Sequence, residues 1–148
     1  MLKEPQAGGE GCPTLRQAGY AFGGDTGCIA EARDHAGEFL ARARAEQGLE
    51  VSSRATELTR LVVSELVTNA CKYAPGPVLM ELGITETAIE VVVWDSDPNA
   101  PAARTTDPSR IGRHGLEIVK AVTQMLDVER QAVGKRVSAR IALRDTQP

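Results

Sequence analysis

The run Leu-Val-Val-Ser-Glu-Leu-Val-Thr-Asn-Ala-Cys-Lys-Tyr-Ala-Pro-Gly at residues 61–76 sets a carboxylate and an amide into an otherwise apolar surface. Its periodicity predicts a helix. Neighbours at i and i+4 lie about 40° apart on the helical wheel, so Glu65 and Asn69 stand one above the other. Leu58, Leu61, Val62 and Leu66 form the adjoining apolar stripe. A carboxylate and an amide bordering a core are costly unless something satisfies them. Two readings stand side by side: a structural pair satisfied internally or at a solvated edge, or ligands for a cation carrying phosphates. Carboxylate and carbonyl oxygens are what Mg²⁺ prefers.

The 148-residue chain suits one domain around one core. A net charge of −3, with no basic stripe interleaved with aromatics, argues against direct nucleic-acid binding. Cys12, Cys28 and Cys71 contain no Cys-x-x-Cys pair and are odd in number, which predicts reduced thiols and no zinc site. The N-terminus lacks the apolar centre of a signal peptide, and no apolar run approaches the ~20 residues of a membrane span. The expectation is a cytoplasmic protein without membrane contact.

Residues 1–14, rich in Gly and Pro, read as a disordered tail, 15–143 as one domain, and 144–148 as a C-terminal tail. A strand is expected near 15–22, then a turn at 23–27 with Asp25 or Thr26 as helix cap. The first helix carries Ile29, Ala32, Ala36, Phe39, Leu40 and Ala43 and stops near Gly48. Ser52 and Ser53 open the second helix, which runs to about Tyr73 and is ended by Ala74-Pro75-Gly76-Pro77. Residues 78–84 and 88–94 read as a hairpin. Residues 96–111, with three prolines and no apolar period, read as a lid loop. A third helix begins near Gly115 on Leu116, Val119, Val122 and Leu126, followed by strands at 127–132 and 136–143. Consecutive helices and short strand connections predict an α/β (α+β) two-layer sandwich, with a mixed, largely antiparallel sheet and helices on one face.

Two further segments hold chemistry-bearing residues. Val91-Val92-Val93-Trp94-Asp95 is an apolar strand ending on a carboxylate at the sheet edge, which is either a ligand-facing group or the start of a turn. Gly112-Arg113-His114-Gly115-Leu116 introduces a helix, and is either an ordinary glycine turn or a phosphate site built on the first-turn amides with positive charge beside it.

In that order, Glu65-x-x-x-Asn69-Ala-x-Lys72-Tyr73-Ala, Asp95 and the glycine-bounded 112–116 segment resemble the three nucleotide-binding boxes of the GHKL ATPase superfamily. Within that superfamily, the pattern resembles that of the small bacterial anti-sigma-factor serine/threonine kinases. The resemblance spans about residues 15–143 and implies the Bergerat ATP-binding fold, with ATP and Mg²⁺ as cofactors. It implies Glu65 as general base, Asn69 as Mg²⁺ ligand, Lys72 on a phosphate and Tyr73 near the base. It also implies that Asp95 accepts the adenine amino group and that Gly112, Arg113, His114, Gly115 and Leu116 line the phosphates. Two positions depart from the family pattern: Asp97 stands where it has Gly, and Arg136 stands where it often has Thr.

The family also implies the partners: a small anti-sigma-factor antagonist as phosphoacceptor, a sigma factor held by the same surface, and a homodimer. A histidine kinase is not expected, since His35 and His114 are the only histidines and His35 lacks the acceptor context. Gyrase-like and chaperone-like machines need further domains. The alternative is a non-catalytic GHKL binding module that regulates its partner by contact, which the two departures favour.

Overall fold

The structure, a computed structural model, describes residues 13–23, 27–73, 76–96, 113–132 and 134–144. The expected tails (apart from residues 13, 14 and 144), the cap at Asp25 or Thr26, the breaker pair Ala74-Pro75, the lid loop at 96–111 (apart from Ser96) and Gly112 lie outside these residues. Eight elements follow in order: β1 (Arg16–Phe22), α1 (Gly27–Glu46), α2 (Ser53–Tyr73), β2 (Val78–Ile84), β3 (Ala88–Trp94), α3 (Arg113–Val122), β4 (Met125–Arg130) and β5 (Lys135–Ala142). The five strands form one sheet in the order β1-β2-β3-β5-β4. Every neighbouring pair is antiparallel, in line with the largely antiparallel sheet expected from the sequence. The helices pack on one face, giving the expected two-layer α+β sandwich.

Alternation along the strands decides which face is covered. Met80, Leu82, Ile84, Ile89, Val91, Val93, Ala139 and Ile141 point inward and are buried. The opposite face carries cross-strand charge pairs, Arg136 with Glu129 at 3.1 Å and Arg140 with Glu90 at 3.5 Å, and the Arg136 guanidinium lies 5.7 Å from the Trp94 ring centre. A face laced with exposed ion pairs needs no second helical layer.

α2 is the helix most enclosed by the fold, because it meets α1, α3 and the sheet at once. Val62, Val63, Leu66 and Val67 are therefore all buried, a wider apolar arc than one stripe. Its start is set by Ser52, whose Oγ accepts a hydrogen bond from the Ala55 amide at 2.9 Å while its carbonyl accepts the Thr56 amide at 3.1 Å. This is an N-cap satisfying an amide that the first turn leaves without a partner. α1 lays Ala32, Ala36, Phe39, Leu40 and Ala43 into the core, with Cys28 buried where Ile29 was expected to lead. Gly48, at φ +67°, ends α1 in the left-handed conformation that side chains disfavour.

One boundary differs from the sequence reading. Leu126 continues the apolar spacing of α3 but belongs to β4, opposite Ala139. The Gln124 amide is already bonded to the Arg140 carbonyl at 2.7 Å, so the backbone has joined the sheet before the helical pattern runs out. The last two strands accordingly start and end one or two residues earlier than the pattern suggested.

Replacing Ser52 by Ala is expected to lower unfolding stability by about 1 kcal/mol. Urea denaturation would show the midpoint falling with an unchanged slope.

Candidate functional site

Topology brings the chemistry-bearing residues to one end of the sheet. The register sets Phe22 of β1 opposite Val78 of β2, Leu79 opposite Trp94 of β3, and Trp94 opposite Arg136 of β5. The C-terminal turn of α2 leads directly into β2 at that same end. The 10-residue α3 spans about 15 Å and delivers the chain to the start of β4, opposite Arg140 at the far end. Ser96 closes the rim by donating from Oγ to the Pro77 carbonyl at 3.0 Å.

Asn69 lies one turn before the end of α2 and is 7% exposed. Its side-chain oxygen Oδ1 is buried and has no hydrogen-bond partner among the described residues. An unsatisfied buried carbonyl costs about 1–3 kcal/mol, so the fold carries this arrangement at a loss unless a ligand completes it. Glu65, one turn earlier on the same face, is half-buried. A hard oxygen donor beside a carboxylate fits Mg²⁺, which takes one or two protein ligands and fills its remaining positions with water and phosphate oxygens. Among the described residues there is no group of three or more His, Cys, Asp or Glu arranged to hold a metal alone. Lys72 and Tyr73 occupy the final turn of α2.

Asp95 follows β3 and is 6% exposed. Both of its carboxylate oxygens are engaged by one residue: Oδ1 accepts the Lys135 amide at 3.0 Å, and Oδ2 accepts the Lys135 ammonium at 2.7 Å. The Asp95 amide in turn donates to the Lys135 carbonyl at 3.0 Å. The side chains are 2% and 13% exposed, so this is a buried ion pair that water screens little. Gly134 makes it possible: its φ is +82°, and a Cβ there would run into the Asp95 backbone. Lys135 carried no role in the sequence reading. The signal was present as Gly-Lys opening a strand, but only the pairing of β5 with β3 brings it to Asp95.

The third segment differs in one respect. Gly115 does not precede the helix: α3 begins at Arg113, so Arg113, His114, Gly115 and Leu116 form its first turn. First-turn amides have no intrahelical acceptor, so a glycine is tolerated there and the amides remain available to an anion. Gly112 lies outside the described residues. Val119 on the following turn is fully buried and anchors the helix. A shallow cleft of about 660 Å³, lined by Ala41, Arg44, Gly48, Leu49 and Val51, lies at the opposite end of α1 and takes no part in this cluster.

Substituting Lys135 by Ala removes the ammonium that balances the buried Asp95 carboxylate and leaves the backbone amide of residue 135 on Oδ1. The variant is expected to lose about 3–5 kcal/mol of unfolding stability. Adding Asp95→Asn should restore part of that loss, which a double-mutant cycle by chemical denaturation measures.

Among the described residues, no helix is long and apolar enough to cross a membrane. Comparison with curated proteins finds no match to this chain. A family model described as a histidine kinase-like ATPase domain matches residues 28–141, from the first turn of α1 to the end of β5. That span takes in α2 with Asn69, Asp95 at the end of β3, the first turn of α3 and Lys135 at the start of β5. The chain belongs to the histidine kinase-like ATPase domain family.

Proposed function

We propose that the chain binds Mg·ATP and acts as an anti-sigma-factor-type serine/threonine protein kinase, phosphorylating a small antagonist protein and working by partner switching. The observation that carries this reading is the buried, unpartnered Oδ1 of Asn69 beside Glu65. In this reading Asn69 holds the Mg²⁺, and Lys72 and the first-turn amides of α3 bind phosphate oxygens. Mg²⁺, when bound, neutralises charge on the transferring phosphoryl group. Glu65 takes the proton of the attacking serine or threonine hydroxyl, assistance that contributes about 10²- to 10⁴-fold. Asp95 accepts the adenine amino group through acceptor capacity beyond its bonds to Lys135, since an ionised carboxylate offers about four lone-pair sites. A sigma factor is the second partner, and the protein works as a cytoplasmic homodimer.

A second reading has its own support. Lys135 engages both oxygens of Asp95, which favours a non-catalytic module that regulates its partner by contact.

Calorimetric titration of ATP with and without Mg²⁺ tests the first reading. Mg²⁺-dependent binding that Asn69→Ala abolishes is the expected result, and absence of binding to the folded wild-type protein overturns it. Given binding, Glu65→Ala should eliminate phosphate transfer to the antagonist while nucleotide affinity changes little. Wild-type protein that binds Mg·ATP and the partner but transfers no phosphate establishes the second reading.

A further inference from the structure

The Sγ atoms of Cys28 and Cys71 lie 3.2 Å apart, joining the first turn of α1 to the last turns of α2 across 43 residues of sequence. Both are in the thiol form. Cys28 is 2% exposed and part of the core, whereas Cys71 is only half-buried and packs at the core's margin. A disulfide needs its sulfurs at about 2.05 Å, so closing this pair takes roughly 1 Å of combined side-chain and backbone movement. The asymmetry in exposure distinguishes a thiol that solvent reaches from one that only its neighbour reaches.

We infer that Cys28 and Cys71 are a peroxide-responsive modification site whose disulfide weakens the nucleotide site, a consequence that rests on the proposed function. The Cys71 sulfur attacks hydrogen peroxide and breaks its O–O bond. Cys71 becomes a sulfenic acid, and the other oxygen leaves with the thiol proton as water. The Cys28 sulfur then attacks the sulfenic sulfur, forming the S–S bond and releasing the second water. Two electrons pass from the thiols to the peroxide, and a small-molecule thiol reverses the change.

The consequence follows from helix geometry. Cys71 and Asn69 are two residues apart and point in directions about 200° apart around α2. Drawing Cys71 toward α1 therefore moves the last turns of α2 in the direction that withdraws Asn69. Displacements near 1 Å in a positioning residue are enough to cost about 10²-fold in a preorganised site.

The test uses the full chain with Cys12→Ser, which leaves only this pair. After hydrogen peroxide, peptide mapping should show a Cys28–Cys71 disulfide that dithiothreitol removes, and Cys28→Ser should instead trap a dimedone adduct on Cys71. Oxidation should also raise the thermal midpoint by on the order of 10 °C. Sulfinic or sulfonic products without the disulfide would overturn the site. With the disulfide formed, Mg·ATP affinity should fall at least tenfold and recover on reduction, and unchanged affinity would overturn the coupling. If the reduced protein binds no ATP, the functional reading and the coupling built on it both fail, while the mapping and thermal results still decide whether the disulfide site exists.

Discussion

The seam between Asp95 and Lys135 holds the working end of this fold together. One backbone–backbone bond, one bond from the Lys135 amide to the Asp95 carboxylate and one ammonium–carboxylate bond tie the end of β3 to the start of β5. Gly134 lets the backbones approach that closely. A buried ion pair is weak support for net stability, because desolvation offsets most of the Coulomb gain. Its strength lies elsewhere. Once the turn delivers Lys135 beside Asp95, any register that separates them loses all three of these bonds. The alternation of β5 then follows, and with it which side chains face the helices.

The opposite situation holds at Asn69, where the fold leaves an acceptor without a partner. The surrounding core bears that loss: Val62, Val63, Leu66 and Val67 are all essentially sealed from solvent on the same helix, and each buried aliphatic side chain contributes about 1.5–3 kcal/mol. Satisfied polarity at Asp95 and unsatisfied polarity at Asn69 are thus different signals. The first specifies the architecture, and the second is an acceptor that the described residues leave unfilled.

The sequence made much of this legible for physical reasons that also show where it stopped. β2 and β3 were bounded correctly because alternating apolar residues meet a Thr-rich turn, whose Thr85 hydroxyl accepts the Thr87 and Ala88 amides. The start of α2 was readable from Ser52 because capping is local chemistry. Leu126 was misplaced because a spacing of four continues a helix as naturally as it enters a strand, and the deciding bond, Gln124 to Arg140, is long-range. Asn69 stood out because a polar residue inside an apolar period is visible in one dimension. Lys135 did not, since a lysine after a glycine is ordinary until the sheet sets it against Asp95.

That contrast bears on one of the two departures from the family pattern. Arg136 occupies the position where a threonine is often found, but its guanidinium turns to the outer face, where it meets Glu129 and Trp94. Neighbouring residues on a strand point to opposite faces, so Lys135, one residue earlier, is the one directed at Asp95. The arginine therefore adds no charge beside Asp95, while the lysine adds one that Asp95 balances. Replacing Arg136 with threonine alone would remove the outer-face ion pair and leave the inner pairing intact, so the charge that meets Asp95 comes from Lys135 and not from the departure at Arg136.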